Sequence, residues 1–218
     1  MTAVLLVSVG AAGALGVLLR PLTVILAPVK MTLKPWVTLR DTTVLGAAIL
    51  TSVLTNQTLI VAAATVVALC AVLVATHIDV ACRRIPNRLT GGFAVVMAAL
   101  TLTSFATAEP YDRLLVALLI GVLAPVLLFI LSAVYARYTG MAGFGMGDIK
   151  LAGPLTYAVA FGGTAPVAVY AYTTFLAAAV MSGFLLLTGR AQRNTRVAFA
   201  PYFAVGTVAA TVIWPHVG

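Results

Sequence analysis

Acidic residues are almost missing from this chain. Five Asp or Glu stand among 218 residues, and charged residues of both signs make up only 8%. So little charge excludes an ordinary water-facing surface over most of the protein. The net charge of +8 would raise nucleic acid as a partner in a soluble chain. Here the basic residues sit in short clusters between apolar runs, as topology signals and lipid-headgroup contacts do, so no nucleic-acid partner is expected. Cysteine is as scarce: Cys70 and Cys82 form no CxxC, which excludes a thiolate zinc site. Cys70 lies inside an apolar run, so a structural disulfide is not expected, and both cysteines read as packing residues. No metal and no cofactor is expected. A positive n-region is also lacking: the first basic residue, Arg20, follows the first apolar stretch. Residues 2–19 therefore read as a retained span rather than a cleaved signal.

What is abundant is apolar. Hydrophobic residues are 62% of the chain and come in long runs. The expectation is an all-α, polytopic membrane helix bundle, a single transmembrane domain over 1–218 with no separate soluble domain. Runs of near-spanning length fall at about 2–19, 42–55, 58–76, 89–107, 114–136, 149–162, 165–188 and 198–215. The second and sixth are short. Asn56-Gln57 reads as a tight turn between the second and third. If 42–76 were one helix, everything after it would invert.

The basic residues choose between these topologies. With eight spans, one side receives Arg20, Lys30, Lys34, Arg40, Arg83, Arg84, Arg88, Arg137, Lys150, Arg190, Arg193 and Arg196. The other side receives Arg113 alone, beside Glu109 and Asp112. That split satisfies the positive-inside rule, and the one-helix alternative scatters it. The expected topology is eight transmembrane helices with both termini outside the cytoplasm, in the plasma membrane. Asp79, after the third span, and Asp148, before the sixth, then land at the cytoplasmic face at similar depth.

An acid kept in so apolar a chain is a functional-site candidate by default. Glu109 and Asp112 read as solvated loop charge, and Asp41 as an acid favoured at a helix N-terminus. Asp79 and Asp148 differ because they are level. Two carboxylates at one depth can share a water molecule, and like charges held close cannot both ionise easily. The ionised member takes a proton from the water. The protonated member polarises a scissile carbonyl and later protonates the leaving amine. That is aspartyl-protease chemistry without a metal. Gly140, Gly143, Gly145 and Gly147 crowd the approach to Asp148. Gly145 and Gly147 would leave backbone room for an extended peptide beside the acid. The plain alternative is a flexible loop capped by a helix-start aspartate.

Three pieces carry a family resemblance. The first is Asp79 followed by the turn Ile85-Pro86-Asn87. The second is Gly145-Met146-Gly147-Asp148-Ile149-Lys150-Leu151. The third is Phe199-Ala200-Pro201-Tyr202-Phe203-Ala204-Val205-Gly206. Together they resemble the type IV prepilin peptidases, GxGD membrane aspartyl proteases. The resemblance implies that Asp79 and Asp148 are a catalytic pair acting at the cytoplasmic face. It also implies that the substrate partner is a prepilin or pseudopilin lying in the bilayer. Large bacterial members carry a cysteine-bearing cytoplasmic domain after the first span and also N-methylate the product. Here the first loop, Lys30 to Arg40, has no cysteine. The chain is therefore similar to the short, peptidase-only branch of tight-adherence (Flp) pilus and preflagellin peptidases. Ala200 departs from the family's usual Gly.

Other polar residues have double readings. His77 could tune the pair or be an interfacial polar residue. Lys150 could orient Asp148, bind substrate, or snorkel as a positive-inside anchor. Arg83, Arg84 and Arg88 read as topology determinants, and His216 carries no signal. Gly10, Gly13 and Gly16 allow close helix packing and follow no strand, so they are no dinucleotide fingerprint. Tyr170 and Tyr172 face different sides of one helix. The competing function is a transporter or channel subunit using the two acids as a proton or cation site. A relay would be expected to place one acid near the bilayer midplane. The sequence sets no oligomeric state.

Overall fold

A computed structural model describes residues 59–106, 111–141, 143–192, 195 and 197–212. The first two expected spans, the Asn56-Gln57 turn, Asp41, Glu109, Arg193, Arg196 and His216 lie outside the described residues. The described chain forms six helices: α1 (Leu59–Cys82), α2 (Asn87–Ala106), α3 (Tyr111–Thr139), α4 (Met146–Ala160), α5 (Thr164–Leu187) and α6 (Ala200–Val212). No strand occurs among the described residues.

Local chemistry sets the helix ends. The apolar run of α1 is Ala-, Val- and Leu-rich and free of Gly and Pro, so it propagates until Arg83 takes a left-handed φ of 52°. The Arg83 N–H then donates to the Asp79 carbonyl at 2.7 Å, closing an αL cap in which Arg stands where Gly is usual. Pro86 cannot continue a helix. It starts α2 instead, its carbonyl accepting from the N–H groups of Leu89 at 3.1 Å and Thr90 at 3.3 Å. Asp79 therefore lies inside the last turn of α1, not beyond its span. The apolar run was expected to end near 76, but the helix continues through the polar Thr76-His77 pair to Cys82. Thr76 is accommodated because its Oγ1 donates to the Val72 carbonyl at 2.8 Å within the same helix.

Four helices, α1, α2, α3 and α5, are long and apolar enough to cross a membrane. α4 has 15 residues and the described part of α6 has 13, fewer than the roughly 20 that a bilayer crossing takes. Position explains α4. It packs against all five other described helices, and Leu151, Ala152, Leu155 and Ala158 are buried. Its neighbours shield it, so length need not match lipid. By contrast, α3 and α5 turn large side chains such as Leu119, Leu123, Val180 and Leu187 outward, as lipid-facing helices do.

Small residues bring α3 and α4 together. A Cβ on Gly121 would stand 2.7 Å from the Tyr157 Cβ, and one on Gly153 would stand 3.2 Å from the Gly121 carbonyl oxygen. Pro125 lies one turn after Gly121 and removes the donor that this carbonyl would meet within α3. The freed carbonyl faces the flank of Gly153. Without a hydrophobic drive between helices in lipid, such close backbone approach is what holds them. The Tyr157 hydroxyl also hydrogen-bonds Thr101, tying α4 to α2. Tyr170 is buried and Tyr172 exposed, as their spacing on one helix requires.

Candidate active site

Helix direction alternates along the chain, so the end of α1 and the starts of α2, α4 and α6 gather at one end of the bundle. Arg83, Arg84, Arg88, Arg137, Lys150 and Arg190 are at that end or just beyond it, whereas Asp112 and Arg113 begin α3 at the other. Among the described residues, these basic side chains therefore stand toward one end of the bundle and Arg113 toward the other.

Asp79 is 5% exposed. A carboxylate so buried needs partners. The Ala200 N–H donates to Asp79 Oδ2 at 3.1 Å. Ala200 is the first residue of α6, so this N–H is one of the helix's orphan donors, and the helix end carries partial positive charge. The Phe199 N–H also addresses the carboxylate, and Arg83 lies within electrostatic reach.

Asp148 stands three residues into α4, after the N-cap Gly145, whose backbone is extended at φ −69°, ψ 143°. Its side chain turns back toward the cap: Oδ2 lies 2.8 Å from where a Cβ on Gly145 would be. The Gly145 N–H is its backbone partner, the arrangement of a capping-box acid. Oδ1 is buried and has no hydrogen-bond partner among the described residues. The cap reading and the site reading are therefore compatible: one oxygen serves the helix start, and the other is left over. Asp79 and Asp148 are within electrostatic reach of each other.

The sequence motifs dock on one another. A Cβ on Gly147 would meet the Ile85 Cβ at 3.0 Å and the Ile85 N at 3.3 Å, so the second glycine of the motif admits the turn that follows Asp79. Lys150 Nζ donates to Asn87 Oδ1 at 3.1 Å. Ala200 completes the set through its backbone, which explains why Ala in place of Gly leaves the contact intact. His77 is half-buried on α1; two positions from Asp79 on a helix, it points to the opposite side.

Two supports had no role in the sequence reading. Ser132 Oγ accepts from the Phe144 N–H at 3.0 Å, pinning the glycine-rich loop to α3. The Phe144 ring meets Phe199 edge-on at 5.1 Å, and Phe199 also contacts Phe203 at 5.0 Å and Tyr202 at 5.5 Å. An aromatic hub thus joins the loop before Asp148 to the residue before Ala200. Ser132 lies in an unremarked apolar run and gave no signal. Phe199 was visible within the third motif, without a stated purpose.

A model of the type IV leader peptidase family matches residues 66–187. No curated protein and no solved structure matches the chain. The matched stretch contains both acids, the Ile-Pro-Asn turn, the glycine motif and Lys150, the residues that meet at one end of this bundle, and the chain belongs to the type IV leader peptidase family.

Proposed function

We propose that the chain is a membrane aspartyl endopeptidase that removes leader peptides from prepilin-like proteins, with Asp79 and Asp148 as the catalytic pair. One observation carries the reading. A carboxylate buried at the end of α1 and an unpartnered carboxylate oxygen at the start of α4 lie within electrostatic reach at the same end of the bundle. Such a pair holds one proton between two acids and positions a water molecule. The ionised acid takes a proton from the water as the water oxygen attacks the scissile carbonyl. The protonated acid hydrogen-bonds the carbonyl oxygen, and a proton passes to the leaving amine as the C–N bond breaks. Gly145, exposed just before Asp148, leaves backbone bare for an extended substrate strand, while Gly147 is taken up by packing on Ile85.

The basic residues gathered at this end support a cytoplasmic site by the positive-inside rule. The proposed topology is eight spans in the plasma membrane with both termini outside, the substrate's apolar segment lying in the bilayer. Both acids standing at one end, rather than one near the middle of the bundle, gives a proton-transport reading no support.

The test is co-expression with a candidate prepilin, following leader removal by size shift, in wild type and in Asp79→Asn and Asp148→Asn variants that are confirmed to insert. Wild type is expected to cleave and each variant to lose cleavage. Cleavage that survives either substitution removes the catalytic assignment, and a wild type that cleaves no prepilin removes the peptidase reading.

A further inference from the structure

We infer that Lys150 and Asn87 form a clasp that sets the start of α4 against the start of α2, making Lys150 a positioning residue for Asp148. The inference rests on the peptidase reading for its consequence but not for its geometry.

Lys150 is a misplaced charge. It lies near the N-terminus of α4, where the helix dipole disfavours a cation. It is exposed, so burial does not hold it there. Its ammonium instead donates to Asn87 Oδ1 at 3.1 Å, a charge-assisted bond between two helix starts. Asn87 is itself fixed: it is the first residue of α2, directly after Pro86, and its carbonyl accepts from Thr90 Oγ1 at 3.2 Å.

The first turn of α4 needs an outside tie. Pro154 lies within α4 and deprives the Lys150 carbonyl of its donor one turn later. The N-cap Gly145 supplies no side-chain hydrogen bond. Besides the Asp148 cap and the Ser132 bond that pins the loop before it, the turn carrying Asp148 makes two contacts with the segment after Asp79: Gly147 packed on Ile85, and Lys150 on Asn87. The Gly121–Gly153 approach and the Tyr157–Thr101 bond hold the far half of α4, and the long side chain of Lys150 adds a tie at the end that carries Asp148. Rotation or sliding of α4 would carry the Asp148 carboxylate with it, and catalytic rates fall steeply with such displacements.

Two readouts test this on the full-length protein. The first is a spin-label distance between Arg88→Cys on α2 and Met146→Cys on α4, with Cys70 and Cys82 replaced by Ala. Lys150→Met and Asn87→Ala should each broaden or shift the distribution, and Lys150→Arg should restore it. An unchanged distribution in both overturns the clasp, whatever the activity. The second is steady-state cleavage of a synthetic leader-bearing prepilin segment. Each single variant should lower kcat about tenfold with KM within about twofold, and the double variant should be no worse than the weaker single. Lys150→Arg and Asn87→Asp, which keep a donor and an acceptor, should recover most of kcat. Losses that multiply in the double variant, or that fall on KM instead, overturn the positioning role. A wild type that cleaves nothing defeats the peptidase reading alone, and the distance measurement still judges the clasp.

Discussion

The Ala200 N–H donates to Asp79 Oδ2 at 3.1 Å, joining residues 121 positions apart in sequence. The bond couples the end of α1 to the start of α6 through a backbone donor, so side-chain identity at position 200 matters less than the presence of an N–H. Ala200→Pro removes that donor at a helix position where proline is otherwise tolerated. Leader cleavage should fall more than tenfold below that of Ala200→Gly, which keeps the donor. Equal activity in the two variants would separate this bond from function.

The two motif glycines should respond differently to alanine. At Gly147 the new Cβ meets the Ile85 Cβ at 3.0 Å and the Ile85 backbone O at 3.4 Å, atoms that cannot swing aside. Gly147→Ala should cost about 1–3 kcal/mol of stability, and Ile85→Val should not rescue it, because the clash lies at Cβ and backbone. At Gly145 the obstacle is the Asp148 carboxylate itself, a movable group. Gly145→Ala should leave thermal stability in detergent nearly unchanged while cleavage drops.

Packing of α3 on α4 supplies a cleaner stability test. Gly121→Ala places a Cβ 2.7 Å from the Tyr157 Cβ and 3.3 Å from its Cα, whereas a Cβ on Gly92 meets nothing within 4 Å. Melting in detergent should show Gly121→Ala destabilised by about 2 kcal/mol or more and Gly92→Ala within about 0.5 kcal/mol of wild type. Similar melting of the two would mean that α3 and α4 do not need this approach.

Phe199 is the hub of the aromatic cluster, contacting Phe144, Phe175, Tyr202 and Phe203 at 5.1, 6.2, 5.5 and 5.0 Å. Phe199→Ala should cost about 2–4 kcal/mol, and its loss should also loosen the adjoining Ala200–Asp79 bond. Limited proteolysis should then reach the loop around Phe144 sooner than in wild type.

Much of the fold was legible because membrane segments announce themselves locally. The six expected spans from 58 onward each correspond to a described helix, with ends displaced by a few residues where polar side chains such as Thr76 bond within the helix. The likeness of α4 and α6 to spans was harder to judge. Both are short, and the packing of α4 against the five other described helices accounts for its length. At the site, the acids, the glycines and the Ile-Pro-Asn turn stood out in sequence because each departs from its apolar setting. Asn87 as the partner of Lys150 did not, since nothing in either residue names the other.

By itself the sequence determined that this chain is an apolar helical bundle with scarce acids, and that Asp79 and Asp148 belong to the same end. Hydropathy and charge act in order along the chain, so alternation of direction follows from counting. Only the tertiary structure decided what holds the two acids: a backbone N–H from Ala200, a turn at Ile85 admitted by Gly147, and an unpartnered oxygen on Asp148. A backbone donor carries no residue identity, and a close approach depends on where two helices cross, so neither is written in the spacing of residues.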